Sequence, residues 1–175
     1  ALNEEPNPVY KTLFYTLLFT GQRRGNVLSM RWDDVDFKTG VWYIARTKNG
    51  TSLRVPLVEQ LTLMLKELKL QSGGTSWVFP RPFNPAEHLT EPRDVWERIK
   101  KRAQITNLRM HDLRRTVASY ECMNGENLSV VSKTLNHKTL VATQVYARVD
   151  TSAVSRALQK TVDVFEQIAK QEKAF

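Results

Sequence analysis

The chain alternates between stretches with helical spacing of apolar residues and two short runs with strand spacing. VYKTLFYTLLFTG (9–21) is apolar nearly all round and predicts a buried helix that stops at Gly21. RRGNVLSMRW (23–32) reads as a short second helix. VWYIART (41–47) and SLRVPL (52–57) read as strands, joined across KNGT, whose Asn49-Gly50 pair suits a tight hairpin turn. Pro56 has no amide hydrogen, so the second strand is expected at an edge. From Glu59 the period changes, and Leu61, Met64, Leu65 and Leu68 form a helical stripe. SGGTSWVFPRPFNP (72–85) reads as loop.

Val95, Trp96, Ile99 and Ala103 mark a further helix. Asp112 is expected to cap a helix from Leu113 to about Met123, stopped by Asn124-Gly125. NLSVVSKTLNH (127–137) and TLVATQVYARV (139–149) read as two short helices. A last amphipathic helix carries Val154, Leu158, Val162, Phe165 and Ile168. The expected fold is mainly α with a small antiparallel β-hairpin. Trp32, Trp42, Trp77 and Trp96 read as core. Tyr15, Tyr43 and Tyr120 read as core or half-buried, Tyr10 as surface, and His88 as an exposed loop residue.

Composition narrows the function. A chain of 175 residues suffices for one sizeable core. It opens on ALNEEPNP without an initiator methionine, as expected of a fragment of a longer protein. No run of about 18 apolar residues is present, so no membrane span is expected. Cys122 is the only cysteine, which excludes an internal disulfide or a cysteine-built zinc site and suits a reducing compartment. With three histidines, His88, His111 and His137, a histidine-rich metal cage is not expected either. GxxxxGKS and GxGxxG are both missing, so nothing supports a P-loop or a dinucleotide fold. A net charge of +8 favours a polyanionic partner, most simply nucleic acid, over a merely basic protein. Placement adds to this. Arg23, Arg24, Arg31, Lys48, Arg109, Arg114 and Arg115 fall near turn signals or element ends, whereas acids collect at 4–5 and 33–36.

Within MHDLRRTVASYECMNG (110–125), His111 precedes Arg114 by three positions. Alone, this pattern is weak. With 14 arginines among 175 residues and three histidines, one such match arises by chance roughly a quarter of the time. A solvated pair at a helix start is the plain alternative. Other segments change the balance. TGQRRGNVLSMRWDDVDF (20–37) sets Arg23 just after a helix stop. TKNG (47–50) sets Lys48 at the mouth of a hairpin. TLNHKTLVATQVYARVD (134–150) sets His137 nine residues before Tyr146.

In these residues the chain resembles the tyrosine recombinases of the phage-integrase family, most of all those of prophage type. The resemblance runs from about Val9 to Tyr146. It implies the catalytic-domain fold of these DNA breaking and rejoining enzymes, over residues 1–150, with the hairpin at 41–57. Residues 151–175 would form a carboxy-terminal helix that docks on a neighbouring protomer or covers its own core. The amino-terminal DNA-binding domain usual in the family would be absent from this chain. Arg23 matches the first arginine, Lys48 the hairpin lysine, His111 and Arg114 the H-x-x-R box, His137 the second histidine and Tyr146 the nucleophile. Asn26 stands where the family often has glutamate, and Asn136 where it often has glycine. Asn136 tolerates the left-handed backbone a glycine would supply.

Strand cleavage at phosphorus needs neutralised non-bridging oxygens, an in-line nucleophile and a proton for the leaving oxygen. The guanidinium forks of Arg23 and Arg114 suit the first task, and His137 adds a hydrogen bond. Tyr146 suits the second. A phenol is ordinarily protonated at neutral pH, so it needs a base, and His111 can accept the proton. Lys48 suits the third, although a lysine beside Asn-Gly is also an ordinary solvated turn residue. Arg24 and Arg115 read as solvated or backbone-contacting. A 3′-phosphotyrosine ester retains the energy of the broken bond, so neither ATP nor metal nor any other cofactor is expected. The implied function is site-specific DNA recombination, integration or excision, on double-stranded DNA. It would be carried out by a tetramer on DNA that is a monomer or dimer when free, in the cytoplasm on the nucleoid. A non-catalytic DNA-binding module on the same fold and a type I topoisomerase are the alternatives.

Overall fold

The computed structural model describes residues 1–45, 50–137, 139–146, 158–159 and 161–162 of the 175. Seven helices and five short strands are described among them. Helix α1 (Pro8–Thr20) starts where the Asn7 side chain accepts from the amides of Val9 and Tyr10, and Pro8 occupies the first turn. Its inner face buries Leu13, Phe14 and Leu17, and Phe14 stacks on Trp96 with ring centroids 5.1 Å apart. As the sequence predicts, α1 stops at Gly21, which takes a left-handed backbone with φ of 60°.

Gly21 is fixed twice over. Its φ disfavours any side chain, and a Cβ there would stand 3.3 Å from the Val117 side chain and 3.4 Å from that of Leu135. Gly21→Ala is expected to cost about 1–3 kcal/mol from the backbone strain and crowding together. A thermal melt checks this. The midpoint should fall by several degrees, while Gly25→Ala, which meets open space in α2, should leave it unchanged or raised. Equal melts for the two variants would refute the account.

Helix α2 (Arg24–Leu28) is shorter than the predicted 23–32. Beyond Leu28 the buried residues are Met30 and Trp32, a period of two rather than of a helix turn. The chain extends there to bond with a neighbouring segment. Val78 N–H donates to Met30 C=O at 2.9 Å, and Trp32 N–H donates to Ser76 C=O at 3.0 Å. A single 3₁₀ turn (Trp32–Asp34) then leads into the sheet.

Strands β1 (Val35–Asp36), β2 (Val41–Ile44) and β3 (Leu53–Pro56) pair antiparallel in that order. Val35, Trp42 and Val55 oppose one another and are buried, while Tyr43 and Arg54 face out. Pro56 lies on an edge strand as expected. The sheet exceeds the predicted hairpin by β1, whose two residues are too few to show a period. Helix α3 (Glu59–Leu70) buries Leu61, Leu65 and Leu68 against this sheet and α1.

The 72–85 run is not loop throughout. Strands β4 (Pro80–Arg81) and β5 (Asn84–His88) form a second antiparallel ribbon around Phe83, which has φ of 65°. Three prolines in RPFNP and its flank, with outward side chains, carry no strand signature. Thus His88 belongs to a strand and is half-buried, its ring set edge-on to Trp77 at 5.0 Å. Trp77 is itself half-buried rather than core, with the Arg31 guanidinium over its ring at 4.6 Å and its indole N–H donating to Ala86 C=O at 2.9 Å.

Helix α4 (Arg93–Ala103) turns Val95, Trp96 and Ile99 inward. Its Arg98 and Arg102 grip the buried Glu5 carboxylate at 3.0 and 2.9 Å, tying the start of the chain to the core. Burial pushes the Glu5 carboxyl up, but these bonds outweigh it and hold the group below its ordinary value. Helix α5 (Met110–Met123) starts three residues before the predicted Leu113. Asp112 is not its cap. It stands at the third helical position, where its carboxylate accepts the Arg109 amide at 2.9 Å. Tyr120 is 61% exposed, because it falls two positions past Ala118 and so away from the inner face of Leu113, Arg114 and Ala118.

Helices α6 (Leu128–Thr134) and α7 (Val141–Gln144) are the two short helices expected, each more compact than its sequence span. Ala118, Val131 and Leu135 form a second small core between α5 and α6, with Cys122 and Tyr146 packed on it. Of the final helix, Leu158, Gln159, Thr161 and Val162 are helical, and Leu158 and Val162 are 62% and 44% exposed. Val154, Phe165 and Ile168 lie outside the described residues.

Candidate active site

Four chain segments meet at the ends of α1 and α6. Arg114 sits on the inner face of α5, 5% exposed, and reaches past both ends. Its Nη1 donates to Gly21 C=O at 2.7 Å, and its Nη2 donates to Leu135 C=O. These carbonyls lack helical partners because they follow the last turns of α1 and α6. Gln22 makes a parallel tie, donating from Nε2 to Thr134 C=O at 2.8 Å. A guanidinium has five N–H donors, and among the described residues two are used, so three remain for another acceptor.

The α1 stop places Arg23 two residues beyond the carbonyl that Arg114 holds. Arg23 precedes α2 with extended backbone, half-buried, and its Nη1 is buried with no acceptor. The Asn26 amide nitrogen one turn on is buried without a partner as well. No carboxylate hydrogen-bonds Arg23 among the described residues, and its charge bears on Arg114, His137 and His111. Burial first, then Arg23, push the Arg114 guanidinium down to about 10, opposed by Tyr146. Arg114 therefore stays cationic at neutral pH.

The α6 stop places His137. Leu135 caps the helix, Asn136 turns left-handed with φ of 48°, and the His137 amide donates back to Ser132 C=O at 3.0 Å. The Asn136 amide donates to Lys133 C=O at 3.0 Å, which completes a Schellman turn. This is the left-handed backbone that Asn136 tolerates in a glycine's place. The turn leaves the Leu135 carbonyl for Arg114 and sets the His137 imidazole beside it. His137 Nδ1 lies 3.0 Å from Thr143 Oγ1, and Thr143 is fully buried. Burial, then Arg114 and Arg23, hold the His137 pKa below its ordinary value.

His111 occupies the first turn of α5, one turn before Arg114, and is exposed. Desolvation first, then Arg114, lower its pKa. Asp112 opposes them, and Arg115 and Arg23 add to the fall. Both imidazoles are thus favoured in the neutral form near pH 7. Tyr146 follows α7, its amide donating to Thr143 C=O at 3.0 Å. Its half-buried ring rests on Ala118, Val131 and Leu135.

Four of the six sequence-derived positions, Arg23, Arg114, His137 and Tyr146, therefore lie around the junction of α1, α5, α6 and α7, and His111 stands one turn before Arg114, within electrostatic reach of Arg114 and Arg23. Lys48 lies outside the described residues. Arg24 and Arg115 are engaged with carboxylates, Glu91 at 2.7 Å and Asp112 at 3.6 Å. Among the described residues no three His, Cys, Asp or Glu side chains gather closely enough to hold a metal ion. The sequence reading missed the supporting residues. Gln22 and Thr143 carry no motif of their own, and the carbonyls of Gly21 and Leu135 are visible only once the helix ends are placed.

Comparison with known proteins points one way. A model described as the Phage integrase family matches residues 1–153. The chain is 23% identical over 153 residues to tyrosine recombinase XerA of Pyrococcus horikoshii, covering 86% of this chain and 54% of that protein. It is 28% identical over 142 residues to prophage integrase IntF of Escherichia coli K12, covering 79% of this chain and 30% of that protein. The chain thus spans about half the length of XerA and less of the integrase. Among solved structures, the XerA recombinase crystal structure superimposes with a TM-score of 0.70 at 20% identity, over 89% of this chain and 58% of that one. XerH site-specific recombinase, bound to its difH substrate before cleavage, superimposes with a TM-score of 0.72 at 21% identity, over 86% of this chain and 46% of that one.

Proposed function

Because this chain belongs to the phage integrase family, we propose that it cuts and rejoins one strand of duplex DNA through Tyr146, in site-specific recombination. Tyr146 Oη attacks the scissile phosphorus while His111 accepts its proton. The bond from phosphorus to the 5′ oxygen breaks, and Lys48 protonates that oxygen. The 3′ end is left as a phosphotyrosine ester. A 5′ hydroxyl from a partner duplex then attacks the same phosphorus and releases Tyr146, so no outside energy enters. Arg114, with its three remaining donors, and Arg23 neutralise the non-bridging oxygens, and His137 adds a hydrogen bond. The depressed pKa of His111 suits a base, since it keeps the imidazole free to take a proton.

One observation carries this reading. A tyrosine ring is packed on the same α5–α6 frame that holds a buried, cationic arginine, and Tyr146 opposes the fall in that arginine's pKa. A plain DNA-binding module has no need of that pairing. The substrate is double-stranded DNA. The acting form is a tetramer, working on the nucleoid, and the exposed Leu158 and Val162 of the tail helix suit docking on a neighbouring protomer.

The test is a pool of nicked duplexes of randomised sequence. Incubation should give a protein–DNA adduct that survives a denaturing gel, enriched for particular sequences. Adduct formation should weaken steeply with salt, by about 0.9 in log affinity per log unit of salt for each phosphate contacted. An adduct without sequence preference, with relaxation of any supercoiled plasmid, would make the protein a topoisomerase. DNA binding with no adduct would make it a binding module.

A further inference from the structure

We propose that Thr143 is a positioning residue that decides which ring nitrogen of His137 carries the proton and couples that imidazole to the segment bearing Tyr146. The inference rests on the recombinase reading above, since it assigns His137 a donor role at the phosphate. Thr143 is fully buried at the start of the turn that leads to Tyr146. Its hydroxyl has one partner among the described residues, His137 Nδ1 at 3.0 Å.

The direction of that bond follows from burial. A hydroxyl carries one proton and accepts readily, and an imidazole nitrogen can do either. If Nδ1–H donated to Oγ1, the buried hydroxyl proton would have no acceptor among the described residues, which is costly for a sealed polar group. If Oγ1–H donates to Nδ1, every group is satisfied. The proton of a neutral His137 then resides on Nε2, the nitrogen away from Thr143. That form presents an N–H, not a lone pair, to an incoming phosphate oxygen. Doubly protonated His137 would strand the hydroxyl proton in the same way, so Thr143 also disfavours the imidazolium. Nothing else among the described residues bonds Nδ1.

The second half of the inference is the backbone. Thr143 C=O accepts the Tyr146 amide at 3.0 Å, while the side chain of the same residue holds His137. One buried residue thus fixes the phosphate donor and the entry to the nucleophile together. A shift of α7 that moves Tyr146 also moves the partner of His137.

Thr143→Val keeps the shape and removes the hydroxyl, and Thr143→Ser keeps the hydroxyl. The first measurement needs no DNA: nitrogen-15 NMR of the free protein labelled in histidine, with His137 assigned by substitution. The native protein and Thr143→Ser should show the Nε2–H form, and Thr143→Val a mixture. A native Nδ1–H form, or an unchanged spectrum in Thr143→Val, overturns the inference. The second measurement is adduct formation on the enriched nicked duplex. Thr143→Val should slow the step about tenfold at saturating DNA, with half-saturation within about twofold of native, and Thr143→Ser should recover most of the rate. A merely structural role would lower the melting point and active fraction without moving the tautomer. If the native protein forms no adduct, the recombinase reading fails while the NMR result still decides the role of Thr143.

Discussion

Tyr146→Phe is expected to abolish the covalent adduct, a fall of about 10⁴-fold or more, as losing a covalent nucleophile does. Binding to the same duplex should stay within about twofold. The two effects separate because the ring and the hydroxyl do different things. The ring packs on Ala118, Val131 and Leu135, and phenylalanine keeps that contact, so the melting point should move by no more than a degree or two. The hydroxyl is the only atom removed. The other described tyrosines are placed differently, and Tyr10, expected at the surface, is half-buried on α1 against the main core. Tyr15 Oη bonds Asn3 at 2.5 Å, Tyr43 Oη accepts from Arg54 at 3.1 Å, and Tyr120 points outward from α5. A denaturing gel alongside a mobility-shift titration checks both halves. A persistent band would remove Tyr146 from the mechanism.

Arg114→Met should lose activity beyond detection and destabilise the protein by about 3–5 kcal/mol, or roughly 10 °C in melting midpoint. Few single changes reach that size, and here two costs coincide. The Gly21 and Leu135 carbonyls would be left buried without a donor, and the bridge between the ends of α1 and α6 would be gone. One gain offsets part of this, because removing the cation relieves its repulsion with Arg23. The carbonyls outweigh it, since both bonds are direct and that repulsion acts through space. Arg114→Lys keeps the charge, but one ammonium cannot satisfy two carbonyls and a phosphate at once. It should fall between native and Arg114→Met in stability and slow cleavage about 10²–10³-fold. Calorimetry with the adduct assay checks the order. Stability equal to native in Arg114→Met would show that the arginine does not tie the helix ends.

How much of this was readable beforehand depends on how local each signal was. The stop at Gly21 and the edge position of Pro56 are consequences of single residue types and could be read directly, while the left-handed turn at Asn136 was legible only as one that residue tolerates. The inner faces of α3 and α4 follow from periodicity. What could not be read depended on partners far along the chain. The run past Leu28 looks helical until its backbone is found bonding to residues 76–78. The ribbon at 80–88 hides behind prolines. Asp112 has the chemistry of a cap, yet stands three residues inside because Arg109 begins the helix. The site itself was legible as a series of polar types in order. Its support was not, because main-chain carbonyls and a threonine leave no trace in such a series.

The arginine that spans two helix ends has a further consequence. Its carbonyl partners belong to the main chain, so a side-chain exchange at Leu135 that keeps the backbone leaves them in place, whereas one at Gly21 must also meet its left-handed φ. Sequence drift over the outer surface of this domain therefore leaves the two helix ends in register. A shift of α6 along its axis would detune that register, and would also disturb the Val131 and Leu135 wall on which Tyr146 leans.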